Sequence, residues 1–193
     1  PIYATLTDEE VEYVVNNSGT KFIVVEDTEQ LEKALYTHKH CPLLEKIIVM
    51  NEDDAKVHSP VVISFRELLE MGRKKQVEEP GLFERLSDAV KEEDLATIVY
   101  TSGTTGDPKG AMITHKNIMA VVKSLDAVEP QYAFDTDQTV PFLPLSHVFE
   151  RIAGHYYGMY VGITASYAES LDTILQDIQE KRPTEILAVP RVL

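Results

Sequence analysis

Cysteine is nearly missing from this chain. Cys41 is the only one in 193 residues, which excludes an internal disulfide framework and suits a reducing compartment. No apolar run is long enough to span a membrane and no charged-then-apolar leader is visible, so neither a transmembrane segment nor a signal peptide is predicted. Basic clusters are equally scarce. Lys and Arg total 18 against 32 Asp and Glu, a formal charge of −14. The longest basic run, Arg73-Lys74-Lys75, soon meets Glu78 and Glu79 and reads as a solvated helix face. Nucleic acid and anionic membrane both repel a net anion without a basic patch, so neither is expected as a partner. There is no Gly-x-Gly-x-x-Gly fingerprint, no Gly-Lys-Ser/Thr of a Walker A loop, no internal repeat and no low-complexity tract. The chain opens on Pro1-Ile2-Tyr3 without methionine and closes on an apolar run, and the expectation is an excerpt of a longer cytoplasmic protein.

What is present is a 44% hydrophobic, 26% charged sequence of ordinary globular composition, in which helix-period and strand-like patterns alternate. Thr7 with Glu10 three residues on forms a capping box ahead of Val11, Val14 and Val15, and Gly19 closes that helix. Strands are predicted at 22–25 and 47–50, helices over 29–37 and from near Ser64, and a loop over 51–59. The charged stretch Gly72–Pro80 is expected to connect two lobes, residues 1–80 and 81–193. In the second lobe a strand over 95–100 runs into a Gly-rich loop, and Thr114 caps a helix carrying Ile118, Val121, Val122 and Leu125. Further strands are expected at 140–143, 163–167 and 186–189, with helices carrying Leu145 to Tyr156 and Leu171 to Ile178 between them. Strand and helix alternating in this way predict an α/β fold of mostly parallel sheets flanked by helices, with right-handed crossovers. Ligands bind such sheets beyond the carboxyl ends of the strands, which puts the Gly-rich loop and the turn Pro144-Leu145-Ser146-His147 on one rim.

The Gly-rich loop is the most informative stretch. Tyr100 to Gly110 reads Tyr-Thr-Ser-Gly-Thr-Thr-Gly-Asp-Pro-Lys-Gly, with four Ser or Thr hydroxyls, three glycines and one lysine in eleven residues. Glycines let backbone N–H groups approach an anion. The hydroxyls of Thr101, Ser102, Thr104 and Thr105 add donors, and Lys109 adds a point charge. This is a composition for holding polyphosphate, set against the plainer reading of a Gly/Thr-rich turn between two elements. The second stretch is Phe142 to Arg151, Phe-Leu-Pro-Leu-Ser-His-Val-Phe-Glu-Arg. Taken alone, a histidine at a helix start is a capping or packing residue more often than a ligand contact.

Both stretches resemble the adenylate-forming superfamily of acyl-CoA synthetases, peptide-synthetase adenylation domains and luciferases. Thr101 to Gly110 matches that family's phosphate-binding signature, Ser/Thr-Ser-Gly-Ser/Thr-Thr-Gly-x-Pro-Lys-Gly, at every defined position, with Asp107 on the variable place. Leu143 to Arg151 is similar to the family's Leu-Pro-Leu-x-His motif, in the form of the long-chain fatty acyl-CoA synthetase branch. Val148 stands where the related fatty acyl-AMP ligases carry an aspartate. Asn16-Asn17-Ser18-Gly19 and Val189-Pro190-Arg191 agree less specifically. The resemblance implies part of the large N-terminal domain of an ATP-dependent, AMP-forming fatty acid–CoA ligase. It implies nucleotide binding by Thr101, Ser102, Gly103, Thr104, Thr105, Gly106, Lys109 and Gly110, and a catalytic role for His147 beside the reacting carboxylate. It brings ATP with Mg, CoA and a long-chain fatty acid as cofactor and substrates, the Mg ligands, adenine contacts and distal lysine lying beyond Leu193. The alternatives are an adenylation domain that loads a carrier protein, or a nucleotide-binding piece without catalysis.

Three lesser features were weighed. His38-Lys39-His40-Cys41 offers zinc-type ligands but too few for a tetrahedral site, and reads as a charged helix end. The runs Glu52-Asp53-Asp54 and Glu92-Glu93-Asp94 lack a calcium-loop pattern and read as solvated surface. Tyr156, Tyr157 and Tyr160 near the His147 stripe are core positions by default, or an acyl-pocket wall if the resemblance holds. A lobe cut within its sheet would expose strand edges, so self-association is expected of the piece alone.

Overall fold

The computed structural model describes residues 1–51, 53–54, 59–101, 107–128 and 136–188. They divide into two compact units, Ile2–Lys91 and Glu92–Leu193, the second also holding Pro1.

In the first unit, α1 (Asp8–Ser18) starts at a complete capping box. The Thr7 hydroxyl accepts from Glu10 N–H, and the Glu10 carboxylate accepts from Thr7 N–H. Gly19 ends it at φ 65°, the left-handed conformation that an unbranched Cα reaches without strain. Strands β1 (Phe22–Val25), β2 (Lys46–Val49) and β3 (Val62–Ser64) pair in parallel in that order. Central β2 is apolar and buried along nearly its whole length, as a strand covered on both faces must be. Helix α2 (Thr28–His40), capped by Asp27, lays Leu31 and Ala34 against Val25, Ile47, Val49 and Val62 to form the core. Ser64 closes β3 and caps α3 (Phe65–Glu78) in a second capping box with Glu67, and α4 (Leu82–Asp88) follows.

The charged Gly72–Pro80 stretch is helical for most of its length, α3 running through it to Glu78, as the reading of Arg73-Lys74-Lys75 as a solvated helix face expects. Lys74 pairs with Glu78 and Lys75 with Glu79, each four residues on, so the charges support a helical turn. The His38–Cys41 segment ends α2. There the His40 ring packs edge-on to Tyr36 and pairs with Glu12 at 3.3 Å, while buried Cys41 donates its thiol to the Glu12 carbonyl.

In the second unit, β4 (Leu95–Thr101) and β5 (Lys109–Thr114) form an antiparallel hairpin. The predicted passage from strand through loop directly into helix is therefore corrected: a strand intervenes. Thr114 then caps α5 (His115–Asp126), its hydroxyl accepting from Asn117 N–H. A two-residue β6 (Gln138–Thr139) pairs in parallel with β7 (Thr164–Ala165), and Thr139 also bridges Glu185 in parallel. The predicted strands at 140–143, 163–167 and 186–189 thus have little ladder where described, residue 189 lying outside the described residues. Between β6 and β7 the chain makes a π-helical stretch, Glu150–Tyr156, continuing as α6 (Tyr157–Val161), and α7 (Ile174–Lys181) comes after β7. Ile118 and Val122 of α5 meet Ile152, Tyr157 and Val161 in this unit's core. Fold class stands as read: α/β, with parallel sheets flanked by helices, plus one antiparallel hairpin.

Candidate functional site

In sequence the Gly-rich stretch lies between β4 and β5, which end and begin at Thr101 and Lys109. Ser102, Gly103, Thr104, Thr105 and Gly106 lie outside the described residues; Thr101 and Lys109 face each other as the register pair at the loop's base. Antiparallel pairing therefore brings the flanking hydroxyl and the ammonium to one end of the hairpin, and both residues are exposed there. Gly110 pairs with Tyr100. A Cβ at Gly110 would lie 2.8 Å from Ile98 Cγ2 and 3.1 Å from the Tyr100 ring, so a bare Cα is what lets these side chains pack across the hairpin.

His147 lies in the turn after β6. Its N–H donates to the Pro144 carbonyl at 2.9 Å, and its carbonyl accepts from Arg151 N–H at 3.1 Å. The ring's Nδ1 accepts from Phe149 N–H at 3.2 Å, satisfying a helix-start donor that has no intrahelical partner. An accepting Nδ1 places the proton of the neutral imidazole on Nε2. His147 is thus a helix cap and, being exposed, also a presented Nε2–H.

The loop and this turn do not share one sheet rim, because β4–β5 and β6–β7 are separate sheets. What joins them is Arg151, only 3% exposed. Its Nε donates to the Leu145 carbonyl at 2.6 Å, and its Nη1 to Thr97 Oγ1 at 2.5 Å and the Ile98 carbonyl at 3.2 Å. Beside it Glu150 is 1% exposed, and burial pushes its carboxyl up to about 7. Its Oε2 finds no hydrogen-bond partner. Oε1 lies against Gly154, where a Cβ would come within 2.4 Å, so the acid folds back onto its own helix only over a glycine. A void of about 20 Å³ adjoins it, lined by Thr139, Gly154, Gly158 and Glu185 among others. Tyr167, raised by burial and by Glu150, shares a 2.6 Å hydrogen bond with His155 Nδ1.

Of the three tyrosines, Tyr157 enters the core, whereas Tyr156 and Tyr160 line a groove of about 310 Å³ with Ala96, Ile118, Val122 and Met159. Among the described residues no group of three or more His, Cys, Asp or Glu could hold a metal ion. No helix of the described residues is long and apolar enough to cross a membrane. Glu150 and Arg151 stand in the quoted motif but off the apolar stripe of Leu145, Val148, Phe149 and Ile152, and no sequence signal marks them: the fold buries them while leaving Val148 and Phe149 exposed.

A family model described as AMP-binding enzyme matches residues 1–193. The chain belongs to the AMP-binding enzyme family. Among similar proteins, long chain acyl-CoA synthetase 1 of Arabidopsis thaliana is 32% identical over 202 residues, covering 100% of this chain and 29% of that protein. A long-chain-fatty-acid–CoA ligase of Bos taurus is 33% identical over 196 residues, covering 99% of this chain and 26% of that one. This family member therefore spans less than a third of those relatives' length. Among solved structures, the anthranilate CoA ligase AuaEII in complex with anthranoyl-AMP superposes with a TM-score of 0.75 at 21% identity, over 99% of this chain and 35% of that one. Coronafacic acid ligase from Pectobacterium brasiliense does so with a TM-score of 0.75 at 16% identity, over 100% and 35%. The AMP-binding chain thus shares their fold.

Proposed function

We propose that this AMP-binding chain is part of an ATP-dependent, AMP-forming ligase that activates a long-chain fatty acid and passes it to CoA. The observation that carries the reading is the ten-residue match from Thr101 to Gly110, whose flanking Thr101 and Lys109 pair across β4 and β5. The printed names of the relatives, acyl-CoA synthetase and fatty-acid–CoA ligase, support the substrate class.

The chemistry is a problem of charge. A carboxylate oxygen attacks the α-phosphorus of ATP, the new O–P bond forms, and the bond to the bridging oxygen breaks with its electron pair leaving on pyrophosphate. The CoA sulfur then bonds to the acyl carbon, the carbon–oxygen bond to AMP breaks, and the thiol proton is released. Two anions must meet in the first step, so donors and a cation aimed at the departing pyrophosphate lower the barrier. In this reading Thr101, Ser102, Gly103, Thr104, Thr105, Gly106 and Lys109 hold the β- and γ-phosphates, with Gly110 closing the hairpin beneath them. His147 offers its Nε2–H to the reacting carboxylate. Tyr156 and Tyr160 on the 310 Å³ apolar groove are candidates for an acyl-chain wall. Magnesium accompanying ATP takes its ligands from outside the described residues. A cytoplasmic setting fits the single, buried cysteine.

The test is fatty-acid-dependent exchange of pyrophosphate into ATP by the intact enzyme, followed by product analysis with CoA. Acyl-CoA formation is expected. Exchange with an acyl product only on a carrier protein would replace this reading with a carrier-loading adenylation domain, and no exchange would remove it.

A further inference from the structure

Two segments that the proposed reaction needs together, the loop after β4 and the turn of His147, grow from different sheets. Nothing in the strand pairing fixes their separation. Arg151 reaches both. Its own N–H is held by the His147 carbonyl, and its Nε holds the Leu145 carbonyl, so backbone and side chain together clasp the turn on either side of Ser146. Its Nη1 grips Thr97 and Ile98, four and three residues before Thr101 in the strand that enters the phosphate loop.

The local geometry is built for this contact. At the register irregularity between Leu95 and Thr97, β4 advances two residues while β5 advances one, from Thr114 to Ile113. Such a bulge re-aims the side chains that follow it, and here the next hydroxyl is the one that meets the guanidinium. Burying a cation is costly unless its donors are used, and the planar fork of arginine can serve two separated groups of acceptors at once, which a point-charge ammonium cannot. At 3% exposure the contacts are not weakened by competing water.

We propose that Arg151 is a positioning residue of the ligase reaction, a strut that ties the His147 turn to β4, the strand ending at Thr101. This rests on the function proposed above. The test uses the intact enzyme and fatty-acid-dependent pyrophosphate exchange. Arg151→Met should lower kcat about 100-fold, the scale of a misplacement near 1 Å, with KM for ATP changed less than about threefold because Arg151 touches neither Thr101 nor Lys109. Arg151→Lys should not restore the rate. Thr97→Val should cost about tenfold, and Thr97→Ser should recover it. In a double mutant with His147→Ala, Arg151→Met should add less than about twofold, because the strut acts through that histidine.

A kcat for folded Arg151→Met within twofold of wild type, or losses that multiply in the double mutant, would overturn the proposal. Should Arg151→Met fail to fold, Thr97→Val decides, and full activity there overturns it equally. Wild-type enzyme without exchange removes the reaction and the strut with it, whereas normal wild-type exchange with unaffected variants removes the strut alone.

Discussion

Glu150 sits one turn beyond Ser146 with almost no access to water, no hydrogen bond to Oε2, and the phenol of Tyr167 near enough to feel its charge. Desolvation disfavours the carboxylate, so the folded protein holds the proton up to about pH 7 while the unfolded chain releases it near the ordinary value of 4.5. The sign follows directly. This contribution to stability is fully present below about pH 4.5 and is lost as pH rises through 7. Glu150→Gln has the shape of the neutral acid and cannot ionise. Thermal unfolding of the intact enzyme at pH 5 and pH 8 should show wild type losing ground relative to Glu150→Gln on the alkaline side. Equal changes in the two proteins would mean that the carboxyl is solvated. Cys41 is held up in the same direction by burial and by Glu12, which makes it an inert thiol rather than a nucleophile.

At the scale of elements, the β4–β5 hairpin beside the Gly-rich stretch depends on Gly110. An added methyl must displace Ile98 Cγ2 or the Tyr100 ring, and neither a β-branched side chain nor a ring yields cheaply. Gly110→Ala should cost about 1–3 kcal/mol, read as a lower denaturation midpoint. An unchanged midpoint would mean that the glycine serves only the ligand. Much at this scale was legible in the sequence. Thr7 and Thr114 announced their helices, because a capping hydroxyl and its N3 partner are local chemistry, and Gly19 announced an end in the same way. Strand β3 was not legible, being three residues long and running into the cap of α3. Strand β5 was hidden because Lys109–Thr114 is largely exposed and shows no clean apolar alternation. The Arg73-Lys74-Lys75 run was legible as a solvated helix face, because Lys74 and Lys75 each have a glutamate four residues on. Within the site, the loop and His147 stood out by their residues. Arg151 did not, since its acceptors are mainly backbone carbonyls that only the tertiary fold brings within reach.

On the scale of the whole molecule, residues 1–193 cover under a third of the curated relatives they match. In the first unit Met71 and Val77 of α3 and Phe83 and Leu86 of α4 are exposed. Apolar side chains in such number on two short helices favour association. Expressed alone, the piece should therefore elute as oligomers whose size rises with concentration, and a monomer at all concentrations would contradict this. In the function proposed above, the stretch from Thr101 to Gly110 holds the terminal phosphates of ATP, and Lys109 carries its one fixed positive charge. The most direct measurement is fatty-acid-dependent pyrophosphate exchange by the intact enzyme carrying Lys109→Ala, across a range of ATP concentrations. A fall of about 100-fold in kcat/KM for ATP, most severe at limiting nucleotide, is the result predicted. Exchange indistinguishable from wild type at every concentration would contradict it.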